Sequence, residues 1–421
     1  MKISTQPVRG CIEFMPTAAE EKQLAINIIL ATYKQNGFLQ IITPMLESLE
    51  WLAKGDEGEN STQNMFKTLK RGEKLDLTKP NLTVNDLVAE GLRYDLTVPL
   101  ARFYANNKDN LPVPFKAIQV GESFRCERPQ QGRYRQFTQC DLDIFGDASI
   151  IGEIEIITTA LEAYANLGLK NVVVKINNRR LLQAAAESYG FKPQQFKQLF
   201  ITLDKYDKIG TEECIKELVA NGFKAETLYS FFGLIESVKE SGLDFLKQNN
   251  VVPKEVDEMD KIIKTVNAFA GVFGFSAVFD IGIIRGQDYY TSYVFEFFAT
   301  GVGYKRAIGG GGRYDNMLNK MIGENIPAVG FGLGLDSTIV AINEQATQDL
   351  KNYKKRIALF YESTDSTLEL YNYKFNLMNK ENDYQVSIMP TPKNYNECVR
   401  RLKLNGFDGT VKLSQKEIKF F

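Results

Sequence analysis

Hydrophobic and polar positions alternate along the chain with two different periods. Near the start, Leu24, Ile28 and Ala31 recur at helical intervals, Thr17-Ala-Ala-Glu20 has the spacing of a capping box, and Gly37 supplies a stop. The following run FLQIITPML (38–46) reads as a strand, with Pro44 suited to an edge or an interface. Residues 60–114 are mixed and polar, apart from the compact LRYDLTVPLARFYA (92–105). Two strand-like runs, FKAIQVGESFRCE (115–127) and QFTQCDLDIFG (136–146), flank the polar PQQGRYR and predict a long antiparallel hairpin. From about 181 to 268 the period becomes helical, with Lys/Glu faces as in EECIKELVANGF, which predicts a helical insertion. Strand-like, aromatic-rich sequence returns with IGIIRGQDYYTSYVFEFF (281–298), AIGGGGRYDNML and VGFGLGLDSTIVAI. KNYKK (351–355) reads as a linker to a small α/β module built from RIALFYE, YQVSIMP, GTVKL and the helical stretches between them.

Composition narrows the chemistry. The 421 residues contain no histidine, which removes His-ligated metals, Ser-His-Asp triads and Cys-His dyads together. Acid, base or phosphate chemistry must then use carboxylates, Lys, Arg or Tyr. The five cysteines are scattered without a CxxC pair, as in a reduced cytoplasmic chain with no Cys-ligated metal, and no stretch reads as a signal peptide or a membrane span. Net charge is −1, but residues 351–421 carry 13 Lys/Arg and 8 Asp/Glu. A basic appendage on an acidic body suits RNA contact, and equally an ordinary solvated face.

P-loop, Ser-elbow and dinucleotide glycine patterns are missing. Arginines recur instead on strand-like segments: Arg93, Arg125, Arg133, Arg285 and Arg313. A forked guanidinium on a rigid strand suits phosphoryl or carboxylate oxygens, and several converging on one sheet would make a phosphate site without a P-loop. The neighbouring glycines would let a ligand lie flat on the sheet.

FRCERPQQGRYRQF (124–137), RGQDYYTSYVFE (285–296) and GGGGRYDNML together resemble the histidyl-tRNA synthetases, a class II aminoacyl-tRNA synthetase family. RGCIEFMP, LRYDLTVPLAR, INNRRLL (176–182) and LDKYDKIG (203–210) extend the resemblance over roughly residues 8–342. It implies an α/β (α+β) fold: a six-stranded antiparallel sheet flanked by helices in a catalytic domain over 1–350, with the helical insertion inside it. A shortened anticodon-binding-like domain over 356–421 would follow. It implies ATP and Mg²⁺, with tRNA(His) and L-histidine as partners, in a cytoplasmic homodimer whose two-fold contact uses the N-terminal helix and the Pro44 strand. Carried over residue by residue, Arg125 and Arg285 would be the catalytic cations at the α-phosphate and at the histidine carboxylate. Glu127, Arg133 and Phe137 would complete the ATP site, and Gln130, Gln131 and Gly132 would face the tRNA acceptor end. Asp95, Leu96 and Thr97, with Gln139, would form the ammonium end of the histidine pocket. Asp143 and Tyr290 would hold the imidazole nitrogens, with Tyr289 packed nearby.

Two departures from the family pattern matter. In VGFGLGLDSTIVAI, Asp336 takes the acidic place of the third motif, but Ser337 stands where the family has an arginine that sandwiches adenine and meets the γ-phosphate. A hydroxyl supplies neither the charge nor the flat face, which predicts reduced activity. After Lys412 the later part of the anticodon-binding pattern is missing. The expected activity is ATP-dependent ligation of histidine to tRNA. The alternative is a catalytically impaired paralogue that binds histidine as a regulatory subunit of the ATP phosphoribosyltransferase type. A metabolic ligase without tRNA stands third.

Overall fold

The computed structural model describes residues 3–55, 65–203, 205–249, 251–284, 289–345, 354–379 and 384–421. Its largest element is an eight-stranded sheet in the order β1 (Leu39–Gln40), β5 (Phe115–Phe124), β6 (Gln136–Phe145), β11 (Ala328–Gly334), β10 (Gly309–Arg313), β9 (Tyr293–Ala299), β7 (Val172–Asn178) and β8 (Ser276–Phe279). The six strands from β5 to β7 are antiparallel, and only the outermost β1 and β8 pair in parallel. The predicted hairpin is its longest ladder, ten residues a side, running from Phe115↔Phe145 to Phe124↔Gln136. Side chains alternate between the two faces of such a sheet. One face meets the helix Ile151–Asn166, whose buried Tyr164 packs on Phe297 and Phe331 at 5.5 and 6.3 Å between ring centroids.

Three local expectations need correction. The first helix starts at Pro16, so Thr17 lies inside it and does not cap it; a proline at the first helical position needs no amide partner, and Glu20 pairs with Arg356 instead. The run 38–46 is not one strand: β1 joins the large sheet, while β2 (Leu46–Ser48) joins a small sheet with β4 (Val88–Leu92) and β3 (Lys67–Leu69). Pro44, with no amide to donate, sits between them, and the Thr43 and Pro44 carbonyls accept instead from the Arg93 guanidinium at 2.9 and 3.4 Å. The third concerns the tail, where a further strand follows Lys412. The second sheet runs β13 (Gln385–Pro390), β12 (Arg356–Tyr361), β14 (Gly409–Lys412) and β15 (Ile418–Phe420), the last antiparallel to β14 through a tight turn.

The insertion comprises helices from Arg179–Ser188 to Pro253–Ala270, two residues wider at each end than the sequence pattern suggested. It has its own apolar core, with Leu199, Phe231, Phe232 and Ile235 fully buried. By contact density the chain divides into Met1–Ile12 with Ile26–Gln348, and Glu13–Ala25 with Asp349–Phe421. Among the described residues, no helix is long and apolar enough to cross a membrane.

Candidate active site

Strand β6 carries Gln139, Asp141 and Asp143 at alternate positions, hence on one face. That face opens into a cavity of about 320 Å³, also lined by Asp95, Thr97, Arg125, Glu127, Gly132, Arg133, Phe137, Tyr289, Tyr290, Glu296, Tyr314 and Ser337. Backbone of β10 and β11 forms its floor, through Gly309, Gly310, Gly330, Gly332 and Gly334. These glycines do more than clear a path for a ligand. A Cβ on Gly330 would overlap the Asp143 carboxylate, so the bare backbone of β11 is what lets that carboxylate lie against the sheet.

One end of the cavity is acidic and buried. Asp95, Asp141 and Asp143 are 2, 3 and 2% exposed. Burial pushes the Asp141 carboxyl well above the usual range, the charges of Asp143 and Asp95 add to the rise, and Arg125 and Arg93 oppose it. Burial likewise raises Asp143, against a hydrogen bond donated by the Tyr314 hydroxyl, with Asp95 adding to the rise. Asp95 also accepts the Val98 amide at 3.2 Å at the start of the helix Thr97–Asn107. The Tyr289 and Tyr290 rings lie 4.7 Å apart, and Tyr314 meets Tyr289 edge-on at 5.9 Å. The Gln139 side-chain oxygen is buried with no hydrogen-bond partner among the described residues. Carboxylates in excess of cations, beside aromatic walls and an orphaned acceptor, fit a small ligand that brings positive charge and N–H donors.

The opposite end is cationic and open. Arg125 directs Nε to the Tyr94 carbonyl at 3.0 Å, with its guanidinium carbon 5.1 Å from the centre of the Phe137 ring. Arg133 is exposed on the loop between β5 and β6, where Gln130 and Arg133 exchange backbone hydrogen bonds at 2.9 Å and Gly132 takes φ +70°. Asp336 accepts the Thr138 amide at 2.9 Å, tying the helix Leu335–Glu344 to β6, and the Ser337 hydroxyl donates to the Gly334 carbonyl at 2.8 Å.

The predicted residues therefore divide. Asp95, Thr97, Arg125, Glu127, Gly132, Arg133, Phe137, Gln139, Asp143, Tyr289 and Tyr290 meet at one cavity. Leu96 is fully buried behind it, its carbonyl held by Gln119 at 2.7 Å, and Gln130 and Gln131 sit on the exposed loop outside it. Arg285 lies outside the described residues. The idea of five convergent strand arginines fails for two of them. Arg93 spends its guanidinium on backbone carbonyls, and Arg313 faces the helix side, where Nη2 reaches Glu153 Oε2 at 2.6 Å in a buried pair. Sequence reasoning missed Asp141, Glu296 and Tyr314. The alternation that placed Gln139 and Asp143 also selects Asp141, and Glu296 is the lone charge in the buried run of β9.

A family model described as histidyl-tRNA synthetase matches residues 10–338. The histidine–tRNA ligase of Leifsonia xyli subsp. xyli is 34% identical over 357 residues, covering 82% of each chain. That of Cytophaga hutchinsonii is 32% identical over 372 residues, 85% of this chain and 81% of the relative. Among solved structures, a histidyl-tRNA synthetase from Nostoc sp. superposes with a TM-score of 0.76 at 24% identity, over 97% of this chain and 91% of that one. An ATP phosphoribosyltransferase regulatory subunit/histidyl-tRNA synthetase from Bacillus halodurans C gives the same TM-score at 18% identity, over 98 and 99%. At such identities these two likenesses speak for the fold.

Proposed function

The chain belongs to the histidyl-tRNA synthetase family, and from that premise we propose that it is a histidine–tRNA ligase. The observation that carries the reading is the division of one cavity into a buried carboxylate end and an open arginine end. Histidine binds with its ammonium toward Asp95, Thr97 and Gln139, and its imidazole between Asp143 and Tyr290. Tyr314 fixes the orientation of the Asp143 carboxylate from the other side. Asp141 adds another buried carboxyl to the same face and, with Asp143, keeps the pocket unfavourable to side chains without N–H donors, which would leave buried acceptors unpaired.

The histidine carboxylate is turned toward Arg125. Its oxygen attacks the ATP α-phosphorus in line, pyrophosphate leaves, and Arg125 offsets the negative charge that builds on the α-phosphoryl oxygens. Arg285 is proposed as the second cation at that phosphorus. Phe137 offers a flat face to adenine, and Arg133 meets the outer phosphates. A terminal ribose hydroxyl of tRNA(His) then attacks the activated carbonyl, and AMP departs. Glu127, which lines the cavity, would be the protein carboxylate that holds Mg²⁺ brought in on the ATP phosphates. When bound, that ion neutralises charge on the outer phosphates.

A cytoplasmic homodimer is the proposed assembly. Leu39, Ile42, Met45 and Leu46 expose 50, 85, 50 and 36% of their surface around β1 and β2, an apolar patch that a two-fold contact would cover. Sedimentation as a monomer at micromolar concentration overturns this. Ser337 favours the second reading, a histidine-binding regulatory paralogue, because it removes a family cation from the third motif. Histidine-dependent ATP–pyrophosphate exchange followed by charging of tRNA(His) decides between them. Histidine binding without either reaction rejects the ligase.

A further inference from the structure

The corner around Ser337 holds a side chain from outside the family motifs, that of Tyr304. A Cβ on Gly132 would lie 3.2 Å from both the ring edge and the hydroxyl of Tyr304, and 3.3 Å from Ser337 Cα. The Tyr304 side chain is therefore wedged between the turn of the β5–β6 loop and the start of the helix Leu335–Glu344, where it is 7% exposed. Its segment is pinned on both sides. The Tyr304 amide donates to Glu344 Oε2 at 2.7 Å, at the far end of that same helix, and the Ile308 amide donates to Phe297 O at 2.9 Å.

Arg306 stands midway between those anchors, exposed, and is followed directly by Ala307, Ile308 and Gly309, which line the cavity. The adjacent Lys305 turns back onto the Val302 carbonyl at 2.8 Å, so Arg306 is the cation this segment presents. Burial pushes the Tyr304 hydroxyl up, while Arg133 and then Arg306 oppose the shift, which puts both guanidiniums within electrostatic reach of one phenol. Arg133 lines the cavity and Arg306 directly precedes residues that line it, while position 337 offers only a hydroxyl already engaged with Gly334.

We propose that Arg306 supplies the outer-phosphate cation that position 337 lacks, on a segment that Tyr304 locks against Gly132 and Ser337. The proposal rests on the ligase reading for its ligand, ATP. Geometry fits the substitution: a forked guanidinium tolerates approach from a loop as well as from a helix, because it needs only the phosphate oxygens and not a fixed backbone direction.

Equilibrium dialysis of ATP and of AMP, each with Mg²⁺, on the full chain and its Arg306→Ala and Arg306→Lys variants tests this. Arg306→Ala should weaken ATP binding about tenfold or more, leave AMP within twofold, and be partly restored by Arg306→Lys. Equal losses for ATP and AMP, or no loss for either, overturn the assignment. So does a parent chain that binds neither nucleotide. Failure of the ligase reading looks different: ATP binding that depends on Arg306, with no histidine-dependent pyrophosphate exchange in the parent chain.

Discussion

The two ends of the cavity are built on opposite principles. At the acidic end, Asp95, Asp141 and Asp143 are held on a strand and a helix start, buried, and fixed by Tyr314 and by glycine backbone. At the cationic end, Arg133 and Arg306 are exposed on loops. Buried like charges cost free energy in the empty protein, and a matching ligand recovers it, so each group there is tightly constrained by the others. Solvated cations on loops cost little to move from one backbone position to another. The difference teaches where such a site can drift: the cation proposed at Arg306 can stand in for one at 337, whereas the buried aspartates hold one another in place.

Breaking the acidic end should have the largest effect. Asp143→Ala leaves the imidazole and the Tyr314 hydroxyl without a buried acceptor, a loss of about 2–3 kcal/mol, so calorimetry should show histidine binding weakened at least roughly 30-fold. Affinity within threefold of the parent would place the imidazole elsewhere.

Next comes the empty pocket's own instability. The folded Asp141 carboxyl is raised above its unfolded value near about 4, so its protonated form favours folding below that pH, and that contribution fades as pH rises through the folded pKa. Without histidine, the melting temperature should therefore fall between pH 5 and pH 8, more steeply in the parent than in Asp141→Asn. Saturating histidine should raise the parent's midpoint and leave the variant's nearly unchanged. Parallel pH profiles for the two proteins would contradict the assigned shift.

At the cationic end, Arg133→Ala should raise the KM for ATP in pyrophosphate exchange by about fivefold and leave the KM for histidine alone, as expected for one exposed charge contact. A matching rise in the histidine KM would erase the division into two ends. The smallest change is expected from Ser337→Arg. With Gly132 and Tyr304 against that position and Arg306 as the proposed outer-phosphate cation, exchange should shift by less than about threefold, far below the 10²–10³ typical of one preorganised transition-state donor. A gain of that full size would show the corner empty of any working cation.

How much of this was legible in the sequence follows from periodicity. The β5–β6 hairpin was, because two strand-like runs long enough for a ten-residue ladder flank a polar loop. Of the eleven site residues that meet at the cavity, Phe137, Gln139 and Asp143 lie on β6, where facing side chains share a period of two; the others sit on loops, just past a strand end or at a helix start. The same rule, applied strictly, separates Arg313 from Tyr314: adjacent residues face opposite sides, so both could not serve one cavity, and the arginine went to Glu153. Less legible were the break at Pro44, where the chain changes sheets, and the partner of Ser337, since nothing local to VGFGLGLDSTIVAI announces Tyr304 or Arg306.

The segment Glu13–Ala25 belongs by its contacts with residues 349–421: Glu20 pairs with Arg356, and Gly406 approaches Thr17 so closely that a Cβ there would meet its hydroxyl at 2.7 Å. During synthesis this segment leaves the ribosome well before its partners. At about 5–20 residues per second, the interval between Glu20 and Arg356 is roughly 17–67 seconds. Through that wait the first turns of the Pro16–Gln35 helix have none of those partners, while the large sheet can assemble strand by strand as it emerges. The second unit is thus assembled only after residues 349–421 have followed the first unit out, and a ribosome stalled before residue 349 would display the first unit without it.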